Sequence, residues 1–401
     1  MASSDQKLSV TFVIPYFYPA WQYGGQPRSA FELARALVLR GHRVKVLTTD
    51  SGGQRRLSAD QIGDGSRTVD GVEVVYYRNV SNWLAFRQRL FFPVKMFRDF
   101  DRELTGADLL HIHELRSTLS VPACRAALRL QVPYLVSTHG GLRHLGKRWL
   151  KKLFDAQWGR RILEQAEAII AISPVEEDDA RSFPVDPSRI RRLPNLLRVS
   201  DYGAPSRLGL FRRKWNLGNA KVILFIGRLH WIKGADLLIR AFERSGLWRS
   251  DVHLVIAGND DGQERELRRM TSQLKLDRAV TFTGFLQHDE KLSAFADAVV
   301  TVTPSRSEVF AISAIEALLC ECPVILSNAC GLSPMPRPEQ GVRLFKSESV
   351  EDLADALCLA TGDASFKKAA AAGREFVRAE FGDAKVAERA ESIYREILKV
   401  G

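Results

Sequence analysis

The sequence predicts an α/β fold built from two doubly wound, Rossmann-like domains. Strand-like apolar runs alternate with amphipathic helical patterns through both halves of the chain, and most runs are continuous Val/Ile/Leu stretches rather than alternating ones. A strand buried on both faces of a parallel sheet has no solvent face, so it reads as an unbroken apolar run. Turn-forming residues also cluster near the middle, so the strand–helix alternation is played out twice and two sheets are expected.

In chain order, the first half offers strands at Ser9–Pro15, Val44–Thr48, Val72–Tyr77, Leu109–His113, Tyr134–Thr138 and Ala168–Ile172. The second half offers Val222–Gly227, Val252–Ala257, Val280–Phe282, Ala298–Val302 and Pro323–Ser327. Helical patterns lie between them, such as Ser29–Arg40, with Phe31, Leu33, Ala34, Leu37 and Val38 inward, and Ala235–Arg244. Apolar periodicity lapses over Pro194–Ser206, where Asn195, Asp201, Gly203 and Pro205 gather. The expected division is therefore a domain over residues 1–196, a linker over 197–206, a second domain over 207–383 and a last amphipathic helix over 384–401.

The 401 residues are 45% hydrophobic and 26% charged, which excludes disordered, collagen-like and disulfide-scaffold classes. Five cysteines make no even framework of bridges and suggest a reducing compartment. The apolar run after Lys7 is too short to span a bilayer and lacks a basic flank, so a cytoplasmic protein is expected. Residues 1–200 carry 30 Lys or Arg against 20 acids, and residues 201–401 carry 28 against 27. Ten of the eleven net positive charges thus lie in the first half, a field that draws phosphates, anionic lipid or nucleic acid.

Open α/β sheets bind ligands at the carboxyl ends of their strands. In this chain those ends collect Gly, His, Ser and Arg. Neither a G-x-x-x-x-G-K-[ST] nor a G-x-G-x-x-G loop occurs. Instead Gly227–Gly234 follows a strand and carries Arg228 and Lys233, a fork and a point charge suited to phosphate oxygens. The stretch Pro304–Leu319 runs from a strand end through a Ser/Glu loop into a helix beginning near Ala311, whose N-terminal amides suit an anion. Glu308 precedes that helix and Glu316 lies about two turns away. The two carboxylates therefore suit different hydroxyls of an extended ligand rather than one small atom. Taken alone, a solvated basic loop and two helix-surface acids remain the plain alternatives.

Glu308, seven residues, then Glu316 resembles the E-x7-E signature of retaining glycosyltransferases of the GT-B architecture. Gly24-Gly25, His139-Gly140, Gly227-Arg228-Leu229 with Lys233, Gly284-Phe285 and Pro323-Val324-Ile325 follow in the matching order. Over nearly the whole chain the set is similar to family 4 of the nucleotide-sugar glycosyltransferases. The resemblance implies two Rossmann-like domains facing each other across a deep cleft, the first shaping an acceptor site and the second holding a UDP- or GDP-sugar. It also implies a last helix crossing back to the first domain.

By position, the resemblance gives His139, Arg228, Lys233 and Glu308 catalytic roles. Arg228 and Lys233 would neutralise the donor's diphosphate, with Gly24 and Gly25 closing over it. Glu316 would bind the ribose, and Glu308 the sugar's hydroxyls. Val309 and Phe310 would support sugar and leaving phosphate through their backbone. Gly258, Gly284, Phe285 and Leu286 would frame the base. Transfer with retention is commonly explained by front-face attack assisted by the leaving phosphate, so no side-chain nucleophile is required. Val309 and Ala311 stand where the family often has glycine, and Cys330-Gly331 where it often has a glycine pair, which leaves the donor sugar open.

No metal and no cofactor are expected. His111-x-His113 places two rings on one face of a strand without a third ligand nearby, and reads as histidines lining a polar cleft. Asp99-Phe100-Asp101 lies in a charged helical stretch. Cys320-Glu321-Cys322 lacks metal or redox spacing.

Arg143–Arg161 holds seven Lys or Arg and one acid, Asp155. As a helix it would set Leu145, Trp149 and Leu153 in one apolar row beside Leu150, Phe154 and Trp158. Lys147, Arg148, Lys151 and Lys152 would flank that row, a make-up that suits an anionic membrane surface and a lipid-linked acceptor. Packing of the row onto the first domain is the plain alternative. Phe86–Arg102 has a similar mixture. The expected partners are a nucleotide-sugar, a saccharide or lipid-linked saccharide acceptor and the inner face of a membrane, with no nucleic acid. A nucleotide-sugar epimerase, a basic nucleic-acid binder and an inactive scaffold are the rival readings.

Overall fold

The computed structural model of the chain describes residues 6–143, 148–202, 208–332 and 336–399. It divides into two compact units, residues 1–197 with 383–401, and residues 198–382.

The first unit is an eight-stranded sheet of β1 (Ser9–Val13), β2 (Arg43–Thr49), β3 (Ser66–Val69), β4 (Val72–Tyr77), β5 (Leu109–His113), β6 (Tyr134–Ser137), β7 (Ala168–Ala171) and β8 (Ile190–Arg192). The strand order is β3-β4-β2-β1-β5-β6-β7-β8, all parallel except β3 against β4. Leu109–His113 and Tyr134–Ser137 are buried at every position, which explains their unbroken apolar sequence. The helix Asp383–Leu398 packs on the helix Gly25–Leu39. Val386, Ala387, Ala390, Ile393 and Tyr394 join the same core as Phe12, Phe31 and Leu37.

The second unit is a fully parallel sheet of β9 (Lys221–Ile226), β10 (Val252–Ala257), β11 (Val280–Gly284), β12 (Ala298–Thr303), β13 (Val324–Ser327) and β14 (Val342–Phe345), in the order β11-β10-β9-β12-β13-β14. Its core joins Ile223, Leu238, Phe242, Ile256, Val302 and Leu357. Because all six strands run the same way, their carboxyl ends meet along one edge. The loops that carry Arg228, Gly258, Gly284 and Glu308 are brought together there.

The structure adds three strands beyond the eleven apolar runs: β3, β8 and β14. Each is at a sheet edge, where one side stays exposed and no continuous apolar run is needed.

Candidate functional site

In the second unit the loop after β9 and the loop after β12 are locked together by backbone. Gly234 adopts φ +71°, and a Cβ there would lie 2.1 Å from the Pro304 carbonyl oxygen, so only glycine lets the two loops touch. Gly258 is tighter still, since a Cβ would lie 1.7 Å from the Gly227 carbonyl oxygen. That approach explains the glycine at 258 as a packing requirement beneath the Arg228 loop. Arg306 completes the join. Its backbone N–H donates to Ile232 O at 2.8 Å, and its guanidinium forks onto Asp236 at 2.6 and 2.8 Å while also reaching Trp231 O at 2.6 Å.

On this frame Lys233 donates to the Glu308 carboxylate, and Arg228 to that of Asp261. The Glu308 backbone is fixed in turn, its N–H donating to Ala329 O at 3.2 Å and its carbonyl accepting from Gly331 N at 2.7 Å. Glu316 lies in the helix Ile312–Leu319 and is 4% exposed. It accepts from Tyr202 Oη at 2.7 Å and pairs with Lys291. The Phe310 ring is buried edge-to-face on Phe381 at 5.5 Å, which leaves the backbone of that stretch as its polar surface. Val309 and Gly284 are half-buried, Leu286 is buried and Phe285 is 46% exposed. The structure thus gathers Arg228, Lys233, Gly258, Gly284 and Glu308 on one edge of one unit, with Glu316 on the helix that follows Glu308. Tyr202, Lys291, Asp261 and Arg306 join them without any signal in sequence spacing, since their contacts reach across 25 to 114 residues.

In the first unit Gly24 caps the helix Gly25–Leu39 at φ +105°. His139 follows β6 with φ +46°, a left-handed backbone that costs a residue with a Cβ roughly 1–2 kcal/mol. Burial pushes its imidazole down to about 4. His111 and His113 are lowered well below the ordinary histidine range by burial and by neighbouring imidazoles. These two rings are enclosed within the unit, not lining a polar cleft as their place at a strand end suggested. His111 bonds Ser137 Oγ at 2.7 Å and Tyr394 Oη at 2.8 Å, so buried protein groups meet its needs. Among the described residues no group of three His, Cys, Asp or Glu side chains is placed to hold a metal ion. All five cysteines are free, with Cys320 half-buried and Cys322 buried.

The basic segment is helical from Arg148 to Phe154, makes a π turn over Asp155–Gly159 and continues as Arg160–Gln165. Leu145 and Lys147 lie outside the described residues. The π turn resets the helical phase. Ile162 and Leu163 enter the core, while Trp149 stands 69%, Leu153 58% and Leu150 42% exposed. The apolar row of that first helix is therefore not packed onto its own unit. Arg148 and Lys152 are exposed beside it. Lys151 departs from the expected flanking position: it is half-buried, its Nζ donates to Arg143 O at 3.2 Å, and burial and the Arg116 charge lower its pKa. Beneath the segment lies a cavity of about 540 Å³ lined by Leu142, Arg143, Lys152, Asp155, Arg160 and Phe183. A second exposed apolar patch comprises Val80, Trp83, Leu90, Phe92 and Val94. Phe91, within the Phe86–Arg102 segment whose mixture resembles that of Arg143–Arg161, is instead buried, and its carbonyl accepts from Thr118 Oγ1. No helix among the described residues is long and apolar enough to cross a membrane.

Residues 210–374 match the family described as Glycosyl transferases group 1, and residues 24–196 match the Glycosyl transferase 4-like domain. The chain is 30% identical over 341 residues to the D-inositol 3-phosphate glycosyltransferase of Acidothermus cellulolyticus, covering 78% of this chain and 72% of that one. This chain is a group 1 glycosyltransferase. The group 1 chain is also 26% identical over 393 residues to the gpi3 subunit of the phosphatidylinositol N-acetylglucosaminyltransferase of Schizosaccharomyces pombe, covering 96% and 80%. A crystal structure of Anabaena Alr3699/HepE in complex with UDP and glucose superposes with a TM-score of 0.78 at 17% identity, covering 96% of this chain and 98% of that one. The fold is that of the GT-B glycosyltransferases, with two parallel-sheet Rossmann-like halves.

Proposed function

We propose that this glycosyltransferase moves a sugar from a UDP- or GDP-sugar to a hydroxyl of a saccharide acceptor with retention, without a metal ion or other cofactor. The acceptor is lipid-linked, in polysaccharide or glycolipid assembly at the inner face of a cell membrane. The second unit holds the donor and the first shapes the acceptor site. The carrying observation is the pairing of Lys233 with Glu308 in the loops after β9 and β12, with Arg228 in the same loop as Lys233. A cation resting on a carboxylate is a charge that a diphosphate can take over, and the released Glu308 is then free to accept from a sugar hydroxyl. Arg228 and Lys233 stabilise the charge that builds on the departing diphosphate, and a hydrogen-bond donor so placed lowers the barrier by about 2–4 kcal/mol. The D-inositol 3-phosphate and phosphatidylinositol names of two relatives, with the exposed Trp149 and Leu153 beside Arg148 and Lys152, support an anionic, lipid-borne acceptor.

The test is calorimetric titration of UDP and of GDP into wild type and Glu316→Ala. One nucleotide is expected to bind, at least tenfold more weakly in the variant. If neither binds at protein concentrations that detect millimolar affinity, the reading fails.

A further inference from the structure

Three cations and two acids line the cavity beneath the basic segment of the first unit: Arg143, Lys152 and Arg160 with Asp155 and Asp179. Both acids are taken. Asp155 accepts from two nitrogens of the Arg116 guanidinium at 2.5 and 2.8 Å, and Asp179 from Arg143 Nε at 2.6 Å. No carboxylate among the described residues pairs with Lys152 or with Arg160. The cavity therefore carries positive charge that the described residues leave unanswered.

The path of the helix is what brings these two cations together. At 3.6 residues per turn, side chains eight positions apart diverge by about 80°. The π turn Asp155–Gly159 between them takes up one residue more, which removes roughly that angle, and such turns recur at functional sites. Lys152 ahead of the turn and Arg160 behind it consequently face the same space. The turn also directs Asp155 away from them. A Cβ on Gly159 would lie 2.8 Å from Asp155 Oδ1, the oxygen that accepts from Arg116 Nε, so a glycine there leaves that pairing room. On the outer side of the same helix Trp149 and Leu153 are 69% and 58% exposed. Trp149 stands three positions before Lys152, a neighbour on a helix surface, so apolar and cationic groups share one rim.

We propose that this cavity binds the phosphate of an anionic membrane lipid, Lys152 and Arg160 holding its oxygens while Trp149 and Leu153 enter the surrounding hydrocarbon. The inference rests on the reading of the first unit as membrane-facing and adds a headgroup site to it. Phosphate oxygens accept charge-assisted hydrogen bonds from both cations, and about 540 Å³ is the size of a small-ligand pocket. A soluble phosphate would meet the same two cations without the apolar rim, and that difference can be measured.

Calorimetry of the full-length protein with dihexanoyl phosphatidylglycerol below its micelle concentration separates a site from a charged surface, because a monomeric lipid carries no surface potential. Saturable binding at one site is expected, at least tenfold tighter than that of glycerol phosphate or of dihexanoyl phosphatidylcholine. Lys152→Gln and Arg160→Gln are each expected to weaken it at least fivefold. Arg161→Gln, an equal loss of charge at an exposed residue outside the cavity lining, should weaken it less than twofold. A wild-type thermal midpoint shows that each variant is folded. Absence of saturable binding, or equal weakening by all three variants, overturns the proposal. So does glycerol phosphate or the phosphatidylcholine binding as tightly as the phosphatidylglycerol. Cosedimentation with phosphatidylglycerol vesicles keeps the two readings apart. Wild type that pellets with them but fails to bind the monomeric lipid refutes the site alone, whereas wild type left in solution refutes the membrane-facing reading and the site with it.

Discussion

Arg116 in the first unit and Arg228 in the second are both guanidiniums held by an aspartate, and they differ in what surrounds them. The Arg116–Asp155 pair is 10% and 7% exposed, and Arg116 also donates to the Gly141 and Leu142 carbonyls that follow His139. The Arg228–Asp261 pair is 41% and 44% exposed. A buried pair is expensive to separate because each charge left behind has lost its water, whereas an exposed pair contributes little and exchanges readily. The first unit thus uses charge to fix a turn. The second leaves its pair open to solvent.

The largest effect expected from that contrast comes from breaking the buried pair. Arg116→Met should remove the guanidinium that pairs with Asp155 and holds the Gly141 and Leu142 carbonyls, and cost about 3–5 kcal/mol of stability, the range for a buried pair broken from one side. Arg228→Met should change stability by no more than about 1 kcal/mol. Denaturant unfolding of both variants measures this directly. Equal losses would mean that the exposed pair is as structural as the buried one, and the contrast would collapse.

Acid provides the next test. His111, His113 and His139 are all held below the ordinary histidine value of about 6.5, chiefly by burial. The unfolded chain takes up their protons near pH 6.5 while the folded first unit refuses them, so stability is lost as pH falls through that value. For His139, pushed down to about 4, the loss reaches roughly 3 kcal/mol at pH 4. His230 and His253 in the second unit are lowered by burial too, but neither belongs to a stack of imidazoles. Hydrogen exchange read peptide by peptide between pH 7 and 4.5 should show the first unit opening before the second, with a shallower slope in His139→Gln. Simultaneous opening of both units, or an unchanged slope, would remove the histidine stack as the cause.

These contrasts also mark what the residues alone disclose. Central strands such as Leu109–His113 and Val252–Ala257 are legible because burial on both faces leaves a continuous apolar run. The edge strands Ser66–Val69, Ile190–Arg192 and Val342–Phe345 are not, since their composition answers to solvent on one side. Glu308 and Glu316 stand out through spacing within one loop and helix. Asp261, Lys291 and Tyr202 do not, because each is marked out by a contact formed only when segments distant in the chain meet. The exposed Trp149 and Leu153 precede a π turn that begins at Asp155, and helical periodicity assumes no such interruption.

The smallest effect tests whether the second unit's buried carboxylate is tuned or merely retained. Tyr202→Phe removes the hydroxyl that donates to Glu316 at 2.7 Å and leaves the Lys291 pairing in place. A hydrogen bond of this kind contributes about 1 kcal/mol net, more when the acceptor is charged. If Tyr202 aims the carboxylate at a ribose, the affinity for the preferred nucleotide should fall roughly three- to tenfold by calorimetry, a loss of about that size. Stability should fall by a similar amount, since Glu316 stays paired with Lys291. Nucleotide affinity within experimental error of wild type, with stability reduced, would show that Tyr202 only satisfies a buried carboxylate. The pairing with Lys291 would then be the contact that matters to Glu316, and the second unit would hold this buried acid by charge, as it pairs Lys233 with Glu308 and Arg228 with Asp261.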